Sequence, residues 1–429
     1  MLFRSADLGA AKRLLTGDTA GQIKTKTRLI RNESQLRALI RKLQSASEIA
    51  FDLETTGLHE WVAWARAVTL GVCWEPGECA VIPLWHSEFH SHPTEFWLAA
   101  LKPVFEDKTK RFIAHNAKFD AKWMAKEGIY VPITFDTMIA AHLLDENRAK
   151  GLKPLSELLL GTDSYGIDLK DTYNADLKTL AIYNGKDCDY TMRLYHIFRE
   201  QLKEQPRVAR LFTKLMMPAS EVFTRLEMGG TYIDPVRISE RMIHAERVVK
   251  ELEAYMMQFT KQRTLNFNSP AQVGVWLFNE LNLEVVEETK TFKPSTKESV
   301  LLKLSKKHKA VRALLKYRKW SKFLSTYLYP WAQRLDSKSR IHPNYNLART
   351  VTGRLSSSEP NLQQVPRDPF IRGIVGSPPG WSLMEADYSQ VELRLAAMLA
   401  NEKTMLAILE AGEDRSEEHT SELQSRHNL

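Results

Sequence analysis

Cysteine is scarce: Cys73, Cys79 and Cys188 are the only three in 429 residues, and none forms a Cys-x-x-Cys pair. That excludes a disulfide-stapled scaffold and argues against a zinc site, and it fits a reducing intracellular compartment. No uninterrupted apolar run is long enough to span a bilayer, and the first residues show neither a secretory pattern nor the Arg-rich, acid-poor pattern of a transit peptide. There is no internal repeat and no low-complexity tract. Acid is nearly missing from one stretch. Residues 290–322 hold twelve Lys or Arg and a single acid, Glu298, a net of +11 in a chain of net +8, so everything else sums to −3 (8 minus 11). A basic patch confined to one region suggests a polyanion-binding surface, and the plainer alternative is a solvated helix face. With 43% hydrophobic and 26% charged residues the balance is that of a soluble globular protein, long enough for two to four domains.

Residues 1–27 are polar and read as a poorly ordered lead-in. "NESQLRALIRKLQSASE" predicts an amphipathic helix capped by Asn32 or Ser34. "EIAFDLETTGL", "AVTLGVCWE" and "ECAVIPLW" predict three strands, the last two a hairpin turning at Pro76–Gly77. "KRFIAHNAKFDAKWMAKEG" predicts a strand running into a helix that ends at Gly128; "FDTMIAAHLLD" and "TLAIYNGKDCDYTMRLYHIFREQLKEQ" predict further helices. The mixture argues for one α/β domain over 28–203. Long charged amphipathic helices follow over 204–340, including one across "SVLLKLSKKHKAVRALLKYRKWSKFLSTYLYPW". A Gly/Ser/Pro-rich section then opens 341–414, which closes on "WSLMEADYSQVELRLAAMLA", a predicted strand followed by a helix.

The stretch "FDLETTGL" plants Asp52 and Glu54 two apart in a strand, so both point to one face. Unpartnered like charges are costly to bury, and a divalent cation removes that cost because Mg2+ and Mn2+ prefer hard oxygen ligands. A solvated strand end is the alternative for this octet alone. Two further segments add to it. "HNAKFD" places Asn116 and Asp120 at a helix start, and "YNGKDCDYT" places Tyr183 and Asp187 four apart on one helix face. In this order the three segments resemble the DEDD superfamily of 3′→5′ exonucleases, in its Tyr-containing subclass. The resemblance implies an RNase H-like α/β domain. It implies that Asp52, Glu54, Asp120 and Asp187 hold two Mg2+ or Mn2+ ions, that Tyr183 positions the attacking water and that Asn116 touches substrate. The chemistry would be an in-line displacement served at both ends by cations roughly 4 Å apart. Asp136 and Asp189 read as structural or supporting acids, and His115 and His142 as packing or surface residues.

Two blocks in the second half, "TVTGRLSSSEPNLQQVP" and "DYSQVELRLAAMLA", resemble the entry to the palm of family A DNA polymerases. Weaker likenesses, in "FNSPAQVGVWLFNEL" and "KYRKWSKFLSTY" for example, fall where that family has its thumb. The resemblance implies a mainly α-helical thumb and the start of an α+β palm after the exonuclease domain. Asp387 would bind two catalytic Mg2+ ions. Backbone at Tyr388 and Ser389 would lie against a deoxynucleoside triphosphate, with Gln390 supporting the pocket and Glu392 excluding a 2′-hydroxyl. Arg354 would reach the minor-groove edge of the terminal base pair or, alternatively, a phosphate. Asn361 and Gln363 would touch template or primer, and the basic stretch would grip duplex DNA. Two features of the family are missing: an Arg/Lys-containing fingers helix and a His-Asp-Glu turn. The likeness stops at Asp414, and 415–429 reads as a non-native tail. The expectation is a truncated, monomeric cytoplasmic protein from a bacterium or a phage-infected cell, with an organelle also fitting. It should bind primer–template DNA and single-stranded 3′ ends and trim them, and be unable to polymerise. A stand-alone RNase D-like exoribonuclease and a catalytically silent DNA-binding remnant are the competing readings.

Overall fold

The computed structural model describes residues 23–166 and 171–411, so most of the lead-in and the whole 415–429 tail lie outside the described residues. Six strands form the main sheet: β1 (Lys26–Leu29), β2 (Glu48–Thr55), β3 (Ala67–Glu75), β4 (Glu78–Pro83), β5 (Arg111–Ala114) and β6 (Ile133–Asp136), in the order β1-β4-β3-β2-β5-β6. β2, β3 and β4 pair antiparallel, while β1 runs parallel to β4 and β2, β5 and β6 run parallel. The predicted hairpin turns at Gly77, whose φ of +89° suits glycine. β3 is apolar along nearly its whole length because both of its faces are covered.

Alternation along β2 sorts its residues. Ile49, Phe51 and Leu53 join a core built with α1 (Glu33–Ser45), α2 (Thr94–Phe105) and α3 (Lys118–Lys126). Ala50 joins the opposite core, with α4 (Thr137–Leu144), α5 (Leu152–Leu160) and α6 (Leu177–Lys203), and Asp52 and Glu54 follow it to that face. Asn32 caps α1 as expected, its Oδ1 accepting the Gln35 N–H at 3.0 Å. β6, α2 and α5 have no counterpart among the elements expected from the sequence, and β1 begins at Lys26, inside the expected 1–27 lead-in. β1 is four residues of mixed polarity that exist as a strand through pairing with β4, Thr27 opposite Cys79.

Helix α6 lies unusually close to the sheet. A Cβ added at Gly71 would stand 2.6 Å from Cys188 Sγ and 2.7 Å from Asn184 Oδ1, and one at Gly185 would overlap Thr27. Gly71 is the register partner of Asp52, so this close approach brings α6 down over the acid strand.

Beyond the sheet run α7 (206–229), α8 (Pro235–Met257), α9 (270–280), α10 (Glu298–Leu304) and α11 (309–333). The single helix expected over the basic stretch is two: the chain turns at 305–308, and His308 caps α11 by accepting the Ala310 N–H at 3.1 Å. The described residues divide into two compact units between Gly376 and Ser377, so the helical region and 341–376 share a unit with the sheet.

Buried charges join those parts. Glu227 of α7, wholly buried, accepts from Lys118 Nζ and from the Tyr345 N–H at 2.7 Å, and meets Lys122 Nζ at 3.1 Å. Lys118 also donates to the Tyr345 carbonyl, and Lys122 lies 3.5 Å from buried Glu60. Both lysines belong to α3.

In the second unit the predicted helix is α12 (Val391–Ala400), followed by α13 (Lys403–Glu410). The strand expected before α12 is not formed. Residues 381–388 carry no regular structure, and no strand among the described residues pairs with them. An extended segment becomes a strand only through a ladder partner.

Candidate active site

The acid strand and helix α6 place three carboxylates together. Oxygens of Asp52, Glu54 and Asp187 all lie within 4.8 Å of one another, the only such group of acids, histidines or cysteines among the described residues. A register shift in the β2–β3 pairing between Glu54 and Thr55 ends the regular ladder at this point. Asp187 is buried, and its Oδ1 has no hydrogen-bond partner. Asp120, from the first turn of α3, is buried beside Asp52 and accepts the Leu53 N–H at 3.0 Å through Oδ1. It lies next to the trio without joining it.

The electrostatics are those of a site short of positive charge. Burial, and then the neighbouring Asp187, push Asp52 up to about 8 against the pull of Asn184. Burial, then Asp52 and Asp187, push Glu54 up to about 9, and Lys153 opposes them. Burial raises Asp187 to about 6, while Tyr165, Lys153, Tyr183 and Lys186 hold it down. Asp120 is raised by burial and by Asp52. Clustered oxygens that repel one another, with one buried lone pair unspent, are a donor set suited to a hard divalent cation.

Tyr183 precedes Asp187 by one turn of α6, and its hydroxyl faces that carboxylate. Three supporting residues escaped the sequence reading. Asn184 donates from Nδ2 to Asp52 Oδ2 at 2.7 Å, while its Oδ1 accepts from Thr69 at 3.1 Å, so the amide's orientation is fixed from β3. The Tyr165 ring sits 6.0 Å from that of Tyr183, with its hydroxyl toward Asp187. Lys153, from the first turn of α5, lies over Tyr183. Asn184 had one signal, its place three residues before Asp187 on one helix face; Tyr165 and Lys153 had none.

The other acids have structural work. Asp136 caps α4 through Met138 N (2.8 Å) and Ile139 N (3.3 Å) and accepts Ala117 N at 2.8 Å, which anchors the start of α3. Asp189 binds Gly77 N at 2.8 Å and Arg193 Nε at 2.9 Å. His115 meets Thr137 Oγ1 at 2.9 Å, and His142 is buried in α4. Asn116 is exposed with φ +60° at the mouth of α3.

The later residues fall elsewhere. Arg354 is exposed in the turn between the paired segments Asn344–Asn346 and Ser356–Ser358. Asn361 caps a single helical turn by accepting Gln363 N at 3.0 Å, and Gln363 Nε2 donates to Leu355 O at 3.3 Å. In the second unit Asp387, Tyr388 and Ser389 lie on the exposed irregular stretch, Gln390 precedes α12 at φ +51°, and Glu392 sits in its first turn. Asp387 belongs to no group of clustered acids among the described residues.

Comparison with known proteins agrees with both halves. Residues 27–203 match the family model for a 3′-5′ exonuclease, and residues 237–427 match that for DNA polymerase family A. DNA polymerase I of Pseudomonas aeruginosa is 32% identical over 404 residues, covering 88% of this chain and 43% of that protein. The Borreliella burgdorferi DNA polymerase I is 31% identical, covering 93% of this chain and 44% of its own length. The chain thus spans about two fifths of the length of the curated relatives it matches. The POL domain of Pol1 from M. smegmatis, solved in complex with DNA primer-template and dNTP, shares the fold. Its TM-score is 0.72 at 23% identity, over 91% of this chain and 65% of that one. The chain belongs to DNA polymerase family A, with a 3′-5′ exonuclease domain ahead of its polymerase segment.

Proposed function

We propose that this chain removes nucleotides from DNA 3′ ends with the help of divalent cations, as the proofreading part of a polymerase acting in DNA replication or repair. The observation that carries the reading is the meeting of Asp52, Glu54 and Asp187 within 4.8 Å. In this reading those three, with Asp120 beside them, hold two Mg2+ or Mn2+ ions. Bound there, the ions would supply a hydroxide at neutral pH and stabilise the leaving 3′ oxygen. The chain's own residues do the positioning. Asn184 keeps the Asp52 carboxylate turned into the group, Tyr183 holds the attacking water through its hydroxyl, and Asn116 meets the incoming strand.

In the whole protein, Asp387 would hold Mg2+ at the polymerase site. Tyr388, Ser389, Gln390 and Glu392 would form the nucleotide pocket, and Arg354, Asn361 and Gln363 would contact the primer–template. Its partners would be primer–template DNA, single-stranded 3′ ends and deoxynucleoside triphosphates, and it would work as a monomer in the cytoplasm. No described helix is long and apolar enough to cross a membrane. The relatives' names favour DNA over RNA as substrate. The deciding assay is Mg2+-dependent release of mononucleotides from a 3′-labelled DNA strand, abolished in Asp52→Ala, with an RNA strand of the same sequence run in parallel. Release that survives Asp52→Ala, or attack on RNA alone, would contradict the reading.

A further inference from the structure

The surroundings of the carboxylate group are not all negative. Lys153 stands in the first turn of α5, and its Nζ lies 5.1 Å from the centre of the Tyr183 ring and 5.9 Å from that of Tyr165. Two aromatic faces that share one ammonium fix the end of a side chain that would otherwise sweep through solvent. Its partners among the described residues are these rings, yet its charge reaches further and lowers both Glu54 and Asp187. Lys186, on α6, lies 5.9 Å from the Tyr165 centre and acts on Asp187 alone of the trio. Lys153 is thus the cation that addresses two of the three clustered acids while remaining half-exposed.

A phosphodiester brings its own negative charge toward acids that already repel one another. A cation placed beforehand at the edge of that group can accept the phosphate without reorganising, which is where fixed charges help a reaction most. Tyr183 joins the two features: its ring supports the ammonium and its hydroxyl faces Asp187.

We infer that Lys153 is a further catalytic residue of this site, its ammonium binding a non-bridging oxygen of the terminal phosphodiester and, after cleavage, the 5′-phosphate of the released nucleoside monophosphate. The inference rests on the nuclease reading above. In the hydrolysis a water oxygen bonds to phosphorus, the bond from phosphorus to the 3′ oxygen breaks, and that oxygen leaves with a proton from water. Lys153 keeps its proton throughout.

The test uses the full chain with Mg2+, and variants Lys153→Met and Lys153→Arg whose melting temperatures confirm folding. Loss of a hydrogen bond to a charged partner predicts that Lys153→Met lowers kcat/KM on a DNA 3′ end by about 10- to 100-fold. It should also weaken binding of thymidine 5′-monophosphate, measured by calorimetry, by a similar factor, with Lys153→Arg recovering most of both. Equal nucleotide binding in wild type and Lys153→Met, or no binding by wild type, overturns the inference even if cleavage is seen. A wild-type chain that binds the monophosphate through Lys153 but releases no nucleotide overturns the nuclease reading instead.

Discussion

A carboxylic acid that keeps its proton is a poor ligand, and without a cation Asp52 and Glu54 are in that state near neutral pH, pushed up to about 8 and about 9 from ordinary values of 3.8 and 4.5. The sign of the consequence follows from proton counting. Between roughly pH 4 and 9 the folded chain binds protons on these groups that the unfolded chain does not, so folding stability falls as pH rises through that window. A divalent cation binds the deprotonated set and reverses the trend by mass action. Solvent screening at half-buried positions reduces the effect, so about 1 kcal/mol, or roughly 2–4 °C in Tm, is expected. Melting curves with EDTA should drop between pH 6 and 9, and added Mg2+ should raise Tm more at pH 9 than at pH 6; an equal rise at both would count against cation binding by these acids. The acids themselves were legible because their spacing is local: two apart in a strand, four apart in a helix. Tyr165 and Lys153 were not, because nothing in their own segments records that chain folding sets them against Tyr183.

At the scale of elements, the site depends on how low helix α6 rides over β3. Gly71 permits it, since a Cβ there would meet Cys188 Sγ at 2.6 Å. Gly71→Ala should therefore lift the helix, lower stability by about 1–3 kcal/mol and separate Asp187 from Asp52 enough to depress nuclease activity in chains that remain folded. Gly274→Ala, which meets nothing within 4 Å, is the control for the substitution itself. Unchanged activity in Gly71→Ala would mean that the sheet yields instead. The long elements were readable from their periodicity, including α6 and the β3–β4 hairpin. The failures have physical causes. β1 and β6 are four-residue strands made by their neighbours' ladders, the basic helix breaks at 305–308 where His308 supplies a cap, and residues 381–388 find no described partner strand.

For the whole molecule, the basic stretch is less free than its net of +11 suggests. Lys297 pairs with Glu287, Lys307 with Glu284 and Lys319 with Asp368, and Arg318 donates to the Thr296 carbonyl. Lys303, Lys306, Arg312 and Lys316 are exposed and are the better candidates for phosphate contacts. Duplex binding should weaken steeply with salt, and Arg312→Gln with Lys316→Gln should reduce the slope of log K against log salt by about 2, at roughly 0.9 per contact. A slope that does not change would place the DNA elsewhere. The buried charges around Glu227 bear on a different matter. Lys118 and Lys122 belong to the nuclease helix that carries Asp120, but the anion between them comes from α7, beyond the end of the exonuclease match at residue 203. Cutting the gene at that boundary would strip Lys118 of its counter-ion and leave Lys122 only Glu60, 3.5 Å away, so excising the exonuclease module cleanly would require neutralising Lys118 first.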